Sequence, residues 1–338
     1  MATNIFQRIQ GSLAAKRQNL TEFLNSAPEE KIDLCCEDER EVQVHLHVID
    51  AAIEKAEDQT LGICTVCHDY IDPGRLELDY TAHVCLDHLS EQERRQLEDE
   101  LELSQIVQRA LLPQDPPSIP GVELAAFSRP AAIVGGDYFD FFNFQDGSHG
   151  LVIADIPGHG VSAGMLMSSL QTAIRTMAPE TDSPSEILER INRFYIHNIH
   201  FTTFVTIFLA RFDPITHMLT YASAGHNPPA VVHKRKAEVS WLNPNAPAIG
   251  LAEEFHSRTD SVTLEHGDVL FLYTDGVTEA FNPMLEQFGK IRLGELLGKN
   301  VDLGANDLIQ TVRQGLEVFG DGHVLEDDTT FVALKLVE

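Results

Sequence analysis

Beyond residue 121 the apolar residues gather in short runs set off by glycine, asparagine and proline. This pattern predicts strands over 122–127, 151–154, 203–210, 219–222, 230–232, 269–273 and 330–336. Longer stretches with apolar residues three and four apart interrupt them and predict helices over 160–177, 184–197, 293–297 and 306–319. Runs of strands with helices grouped between them fit an α+β layered domain, not an alternating βαβ array. The first 58 residues read as helices instead. Ile5, Ile9 and Leu13 recur every fourth position, and Val44, Leu46, Val48, Ile49, Ala52 and Ile53 mark a second apolar face. Pro28, within the polar stretch 25–31, separates the two, so an antiparallel helical pair is expected.

Residues 61–89 are too few to bury much apolar surface, so a metal staple would help them fold. After them Ser90-Glu-Gln-Glu93 reads as a capping box, and the helix it starts should run to about Leu112. Pro113, Pro116, Pro117 and Pro120 end it in an extended linker. Leu103, Ile106, Val107, Ala110 and Leu111 form an apolar stripe on this helix, partly extended by Leu97 and Leu101. The stripe fits either a solvated connecting helix or a strut that pairs two copies of the chain into a homodimer. The chain therefore divides into an N-terminal, mainly helical module over 1–89, a linker helix over 90–113 and an α+β domain over 114–338.

Charge narrows the function. With 24 basic against 52 acidic residues the formal net charge is −28, a field that repels a phosphodiester backbone and argues against direct nucleic-acid binding. The surplus carboxylates are either a solvated acidic surface or, in part, a divalent-cation site. No run of about 18 apolar residues exists, and the N-terminus lacks a basic region followed by an apolar stretch, so neither a membrane span nor export is expected. Five cysteines, three of them in a metal-like spacing, fit a reducing cytoplasm.

Cys64-x2-Cys67, seventeen residues, then Cys85-x2-His88 is a zinc-ribbon spacing that can fill all four positions of one tetrahedral, structural Zn²⁺. His68 and His83 are spare candidates for the fourth ligand, and Cys35 and Cys36 read as plain thiols. The run Ala51-Ala-Ile-Glu-Lys-Ala-Glu-Asp-Gln-Thr-Leu-Gly62, with Cys64-Thr-Val-Cys67, Ile71-Asp-Pro-Gly-Arg-Leu76 and Cys85-Leu-Asp-His88, resembles the zinc-finger region of the DksA/TraR family. That family has a fourth cysteine where His88 stands. The acidic motif at the hairpin tip of its polymerase-directed members is not matched by Glu37-Asp38-Glu39, so polymerase binding is not implied.

Four further motifs place aspartates beside glycine or at strand ends: Gly135-Gly-Asp-Tyr-Phe-Asp140, Asp155-Ile-Pro-Gly-His-Gly160, Thr274-Asp-Gly276 and Asp327-Asp-Thr-Thr330. Carboxylates converging on one rim repel each other unless cations sit between them, and an all-oxygen site favours Mg²⁺ or Mn²⁺. Two such ions could activate a water and clamp a phosphoryl group. Together, and with Leu111-Leu-Pro-Gln114, Ser223-Ala-Gly-His-Asn-Pro228, Ile249-Gly250 and Leu270-Phe-Leu-Tyr-Thr-Asp-Gly-Val-Thr-Glu279, they resemble the PPM (PP2C-like) phosphatases of the SpoIIE/RsbU branch from about Leu103 onward. The resemblance implies a PP2C-like β-sandwich flanked by helices and a protein serine/threonine phosphatase using two Mn²⁺ or Mg²⁺ ions. It implies that Asp155 bridges both ions with the Ile156 carbonyl as a further ligand, that Asp275 and Asp327 complete one ion, and that Asp137 serves the second; Asp140 and Asp328 are weaker candidates. It also implies a phosphorylated STAS-type anti-sigma-factor antagonist as substrate.

Pro157 departs from the family, which has serine or a similar residue there. The arginine that holds substrate phosphate in eukaryotic-type members has no clear counterpart, Arg129 being close in sequence. His159 and His226 are open to a general-acid or a structural role. The rival reading is a binding protein, a catalytically weak scaffold or an RNA-polymerase-binding regulator acting through the zinc module.

Overall fold

The structure is a computed structural model that describes residues 13–14, 17–18, 21, 39–58, 60–72, 76, 81–158, 160–198, 204–322 and 327–337. Ile5, Ile9, Cys35, Cys36, Glu37, Asp38 and His159 lie outside them. The chain divides into two units, Met1–Asp99 and Glu100–Glu338. In the first, helix α1 (Glu39–Glu57) lays Ile49, Ala52 and Ala56 against Leu61, Cys64, Ile71, Leu76 and Ala82. Helix α2 (Glu91–Leu111) begins at the expected cap, which is made in both directions. The Glu93 N–H donates to Ser90 Oγ at 3.3 Å while the Ser90 N–H donates to the Glu93 carboxylate at 2.9 Å. The second unit begins within this helix, at Glu100. Among the described residues no helix is long and apolar enough to cross a membrane.

In chain order the second unit then forms β1 (Val122–Arg129), β2 (Tyr138–Asn143), β3 (His149–Asp155), α3 (Val161–Met177), α4 (Pro184–Asn198), β4 (Thr206–Asp213), β5 (Met218–Ala224), β6 (Ala230–His233), β7 (Glu238–Trp241), β8 (Asp260–Thr263), β9 (Val269–Tyr273), α5 (Asp275–Thr278), α6 (Gly289–Lys299), α7 (Ala305–Gly320) and β10 (Thr329–Leu336). Two five-stranded sheets result, ordered β1-β10-β9-β6-β7 and β2-β3-β4-β5-β8. Their strand pairings are antiparallel, as an α+β domain requires.

Alternation along each strand stacks the layers. Phe139, Leu151, Ile153 and Phe208 of the second sheet meet Leu270, Leu272, Val332 and Leu334 of the first in a shared inner core. The intervening residues point outward: Val152, Ala154, Ile207 and Leu209 to α3 and α4, and Phe271, Tyr273, Phe331 and Ala333 to α6 and α7. Strands buried on both faces read as continuous apolar runs, which is why β9 and β10 could be seen in the sequence.

β2, β7 and β8 were not expected. The four-residue β7 and β8 are the edges of their sheets and bury little, so they carry little apolar signal. β2 lies inside the acidic motif that drew attention to its aspartates. The strand expected from 203 begins at Thr206, and Thr203 lies outside the described residues.

Candidate active site

Antiparallel pairing gathers the aspartates. β2 starts where β3 ends, with Tyr138 opposite Ala154, and β10 starts where β9 ends, with Phe331 opposite Tyr273. Asp137 immediately precedes β2, Asp155 ends β3, Asp275 stands two residues after β9, and Asp327 stands two residues before β10. Each sheet thus delivers two carboxylates. The Thr274 hydroxyl ties the pairs together, donating to Asp137 at 2.8 Å while accepting the Thr330 N–H at 3.0 Å.

Electrostatics confirm the crowding. Burial, followed by the charges of Asp275, Asp327, Asp328 and Glu279, pushes Asp155 up to about 7. Burial with Asp327 and Glu279 pushes Asp275 up to about 6. Asp137 is driven well above the usual carboxylate range by burial and then by Asp155. Oxygen donors that raise one another suit a hard divalent cation, yet among the described residues only Cys64, Cys67, Cys85 and His88 already have three or more ligand atoms drawn together at one point.

Close backbone approach holds the cluster. A Cβ on Gly136 would lie 2.2 Å from the Ile156 carbonyl oxygen, and one on Gly276 would lie 2.0 Å from that of Asp328, so both positions require glycine. Asp328 is buried and accepts the N–H groups of Ala131 at 2.7 Å and Gly136 at 2.5 Å. It therefore brackets the loop leading to Asp137. Asp140 is likewise engaged: Arg175 of α3 grips its two oxygens at 2.6 and 2.7 Å, and the Tyr138 hydroxyl donates to it at 2.8 Å. Arg175→Ala would leave this carboxylate buried without its cation and is expected to lower stability by about 2–4 kcal/mol, the half-exposed guanidinium keeping the loss under that of a fully buried pair. Urea unfolding checks this, and a loss under about 0.5 kcal/mol would show the pair to be uncoupled.

Gln108 was missed. From α2 its amide donates to the Gly135 carbonyl at 2.6 Å and accepts the Gly135 N–H at 3.1 Å, while Gln105 donates to the Ile133 carbonyl at 3.0 Å. The polar side of α2 thus grips the loop before Asp137, and the apolar stripe at Leu103, Ile106 and Val107 is left 61%, 58% and 53% exposed. His226 is buried with its Nδ1 2.9 Å from the Thr206 hydroxyl, opposite Asp155 on β4. Burial lowers it to about 3, which favours the neutral ring at ordinary pH, and its Nε2 is buried with no hydrogen-bond partner among the described residues.

In the first unit Cys64, Cys67, Cys85 and His88 offer ligand atoms that all lie within 4.8 Å of one another. Cys85 Sγ is 2.9 Å from His88 Nδ1, and Cys67 Sγ is 3.9 Å from Cys85 Sγ. His68 and His83 are not in this group. The nearby Cys67 N–H holds the Cys64 thiol down, to about 6, which favours the thiolate a metal would need. His68, at φ +62°, turns the chain directly after Cys67.

Two packed antiparallel sheets with carboxylates at one end define a PP2C-like fold. Residues 145–337 match the model of the family described as Stage II sporulation protein E, SpoIIE, and the chain belongs to that family. Asp155, Ile156, Asp275 and Asp327 fall inside the match and Asp137 just ahead of it. The phosphoserine phosphatase RsbU of Bacillus subtilis is 29% identical over 245 residues, covering 72% of this chain and 71% of the relative. The SiaA-PP2C domain of Pseudomonas aeruginosa superposes with a TM-score of 0.65 at 22% identity, over 72% of this chain and 98% of that one. The RsbU and RsbW domains of a Mycobacterium tuberculosis protein give 0.56 at 29% identity, over 65% and 61%.

Proposed function

We propose that the chain is a PPM-type protein phosphatase that hydrolyses phosphoserine or phosphothreonine on a regulatory protein in a cytoplasmic partner-switching circuit. The observation that carries this reading is the convergence of aspartates from both sheets on one rim, where burial and mutual repulsion raise Asp155 and Asp275, a cost that divalent cations would offset at neutral pH and above. Membership of the SpoIIE family and the name of the RsbU relative support the same chemistry and suggest a STAS-type anti-sigma-factor antagonist as substrate.

Asp155 would bridge two Mn²⁺ or Mg²⁺ ions, the Ile156 carbonyl adding a ligand. Asp275 and Asp327 would complete one ion, and Asp137 would serve the other, directly or through water. When bound, the ions would supply an activated water and neutralise charge on the phosphoryl group. Thr274 orients Asp137, while Asp328 and Gln108 hold its loop from opposite sides. The domain assignment follows: residues 1–89 as a module on one structural Zn²⁺ held by Cys64, Cys67, Cys85 and His88, 90–113 as the linker helix, and 114–338 as the phosphatase. A fragment starting at Gln114 would lose the Gln108 amide pair. The exposed stripe on α2 favours a homodimer through that helix.

The test is release of phosphate from a chromogenic aryl phosphate and from a phosphorylated STAS protein, with and without Mn²⁺. Metal-dependent turnover of both is expected. No turnover of either, with any divalent metal, by the full chain or a fragment from Glu100, would favour the scaffold.

A further inference from the structure

Beside the aspartate cluster lies a cavity of about 320 Å³ that the phosphatase reading leaves unused. Its floor is Phe127 on β1 stacked on Phe331 of β10, with ring centroids 4.9 Å apart. α5 and α7 wall it. Asp327 and Glu279 belong both to this lining and to the carboxylates that crowd Asp155 and Asp275, so the cavity adjoins the cluster.

Two arginines line the same space. Arg129 ends β1 opposite Thr329 and shares its face with Phe127, two residues earlier. Its side chain forms no hydrogen bond or ion pair with the described residues, its backbone lying in the β1–β10 ladder. In a chain with 52 acidic and 24 basic residues, an uncompensated guanidinium at a cavity is an unusual resource. Arg313 of α7 is 3.6 Å from Glu317, and its Nε is buried with no hydrogen-bond partner. Glu317 thus balances Arg313, and cations at the cluster would balance Asp327 and Glu279. Of the two arginines, Arg129 is the one with no carboxylate paired to it among the described residues, and its planar fork matches a carboxylate.

We propose that this cavity receives the residues flanking the phosphorylated residue of the substrate protein and that Arg129 selects an acidic side chain among them. The inference rests on the phosphatase reading. Its partner is a phosphoprotein segment with a glutamate or aspartate beside the phosphoserine, whose aliphatic stem or neighbouring apolar residue packs on the part-exposed Phe127, Phe331 being fully buried behind it.

The experiment uses the full chain with Mn²⁺ and two labelled peptides that differ only in glutamate or lysine next to a non-hydrolysable phosphonate analogue of phosphoserine. Fluorescence anisotropy is expected to show about fivefold tighter binding of the glutamate peptide, the range of a partly exposed ion pair. Arg129→Ala should erase the preference and Arg129→Glu should reverse it. With the hydrolysable phosphoserine peptides the difference should appear in KM, while aryl phosphate turnover stays at the wild-type rate. An unchanged preference in Arg129→Ala overturns the inference. So does a parallel fall on aryl phosphate, which would make Arg129 part of the phosphoryl site. Aryl phosphate turnover without peptide discrimination removes this inference alone; absence of wild-type turnover removes the phosphatase reading and the inference with it.

Discussion

Asp155→Asn is expected to abolish metal-dependent phosphate release, by about 10³-fold or more, and at the same time to stabilise the metal-free chain. Both effects come from one source. Asp155 lies between carboxylates of the two sheets, and its own carboxyl is raised to about 7 by burial and by Asp275, Asp327, Asp328 and Glu279. An asparagine keeps the shape and removes the charge, so the loss of the ligand proposed to bridge the ions would be accompanied by relief of on the order of 2–4 kcal/mol of desolvation and repulsion at pH 8. The sign in pH follows from the direction of the shift. Between the unfolded value near 3.8 and the folded value near 7, the native chain holds a proton that the unfolded chain has released, so stability falls as pH rises through this window and levels off above it. Asp275 adds a slope of the same sign up to about pH 6. Metal-free wild type should therefore melt at progressively lower temperature from pH 4.5 to pH 7.5, and Asp155→Asn should flatten part of the decline. Mn²⁺ should raise the wild-type midpoint and leave that of the variant nearly unmoved. A variant that hydrolyses at the wild-type rate, or that melts below wild type without metal at pH 8, would sink the assignment of Asp155.

Asp155, Asp275 and Asp327 could be read from the sequence because each follows or precedes an apolar strand, and Asp137 because it stands beside glycine, as Asp275 also does. The glycines are needed for a reason the sequence shows only in part. At Gly136 and Gly276 the nearest atoms are carbonyl oxygens at residues 156 and 328, far along the chain. Roles that depend wholly on distant partners were illegible. Gln108 reads as one more polar residue on a charged helix, and only the Gly135 backbone, 27 positions away, makes it a buried clamp. Asp140 has the spacing of a metal ligand but meets Arg175, 35 residues on. The stripe on α2 was visible, yet which face of that helix packs inward was decided by the loop 131–136 and not by hydrophobicity.

The second large effect is expected in the first unit, where Cys64→Ala should remove one equivalent of bound zinc and unfold the segment around it. Among the described residues nine buried ones pack there, three of them alanines and one of them Cys64 itself. Packing of this size contributes little against the backbone entropy of ordering the turns over 60–72 and 81–89. Zinc held by three thiolates and an imidazole contributes apparent free energies of about 10–16 kcal/mol in small modules, so the ion and not the packing would hold these turns. The backbone agrees with this division of labour. The Cys64 carbonyl accepts the His68 N–H at 2.9 Å, the Cys64 N–H donates to Asp69 at 2.8 Å, and the Cys85 N–H donates to Cys64 Sγ at 3.3 Å. These bonds shape a knuckle around the sulfur instead of burying apolar surface. Amide exchange in Cys64→Ala should thus rise over 60–72 and 81–89 while β3, β4 and β9 stay protected as an internal control. His83→Ala should keep its zinc, because His83 lies outside the cluster. Full protection of the knuckle in a zinc-free Cys64→Ala chain would mean that the four side chains are a packed polar group and that the module folds without metal.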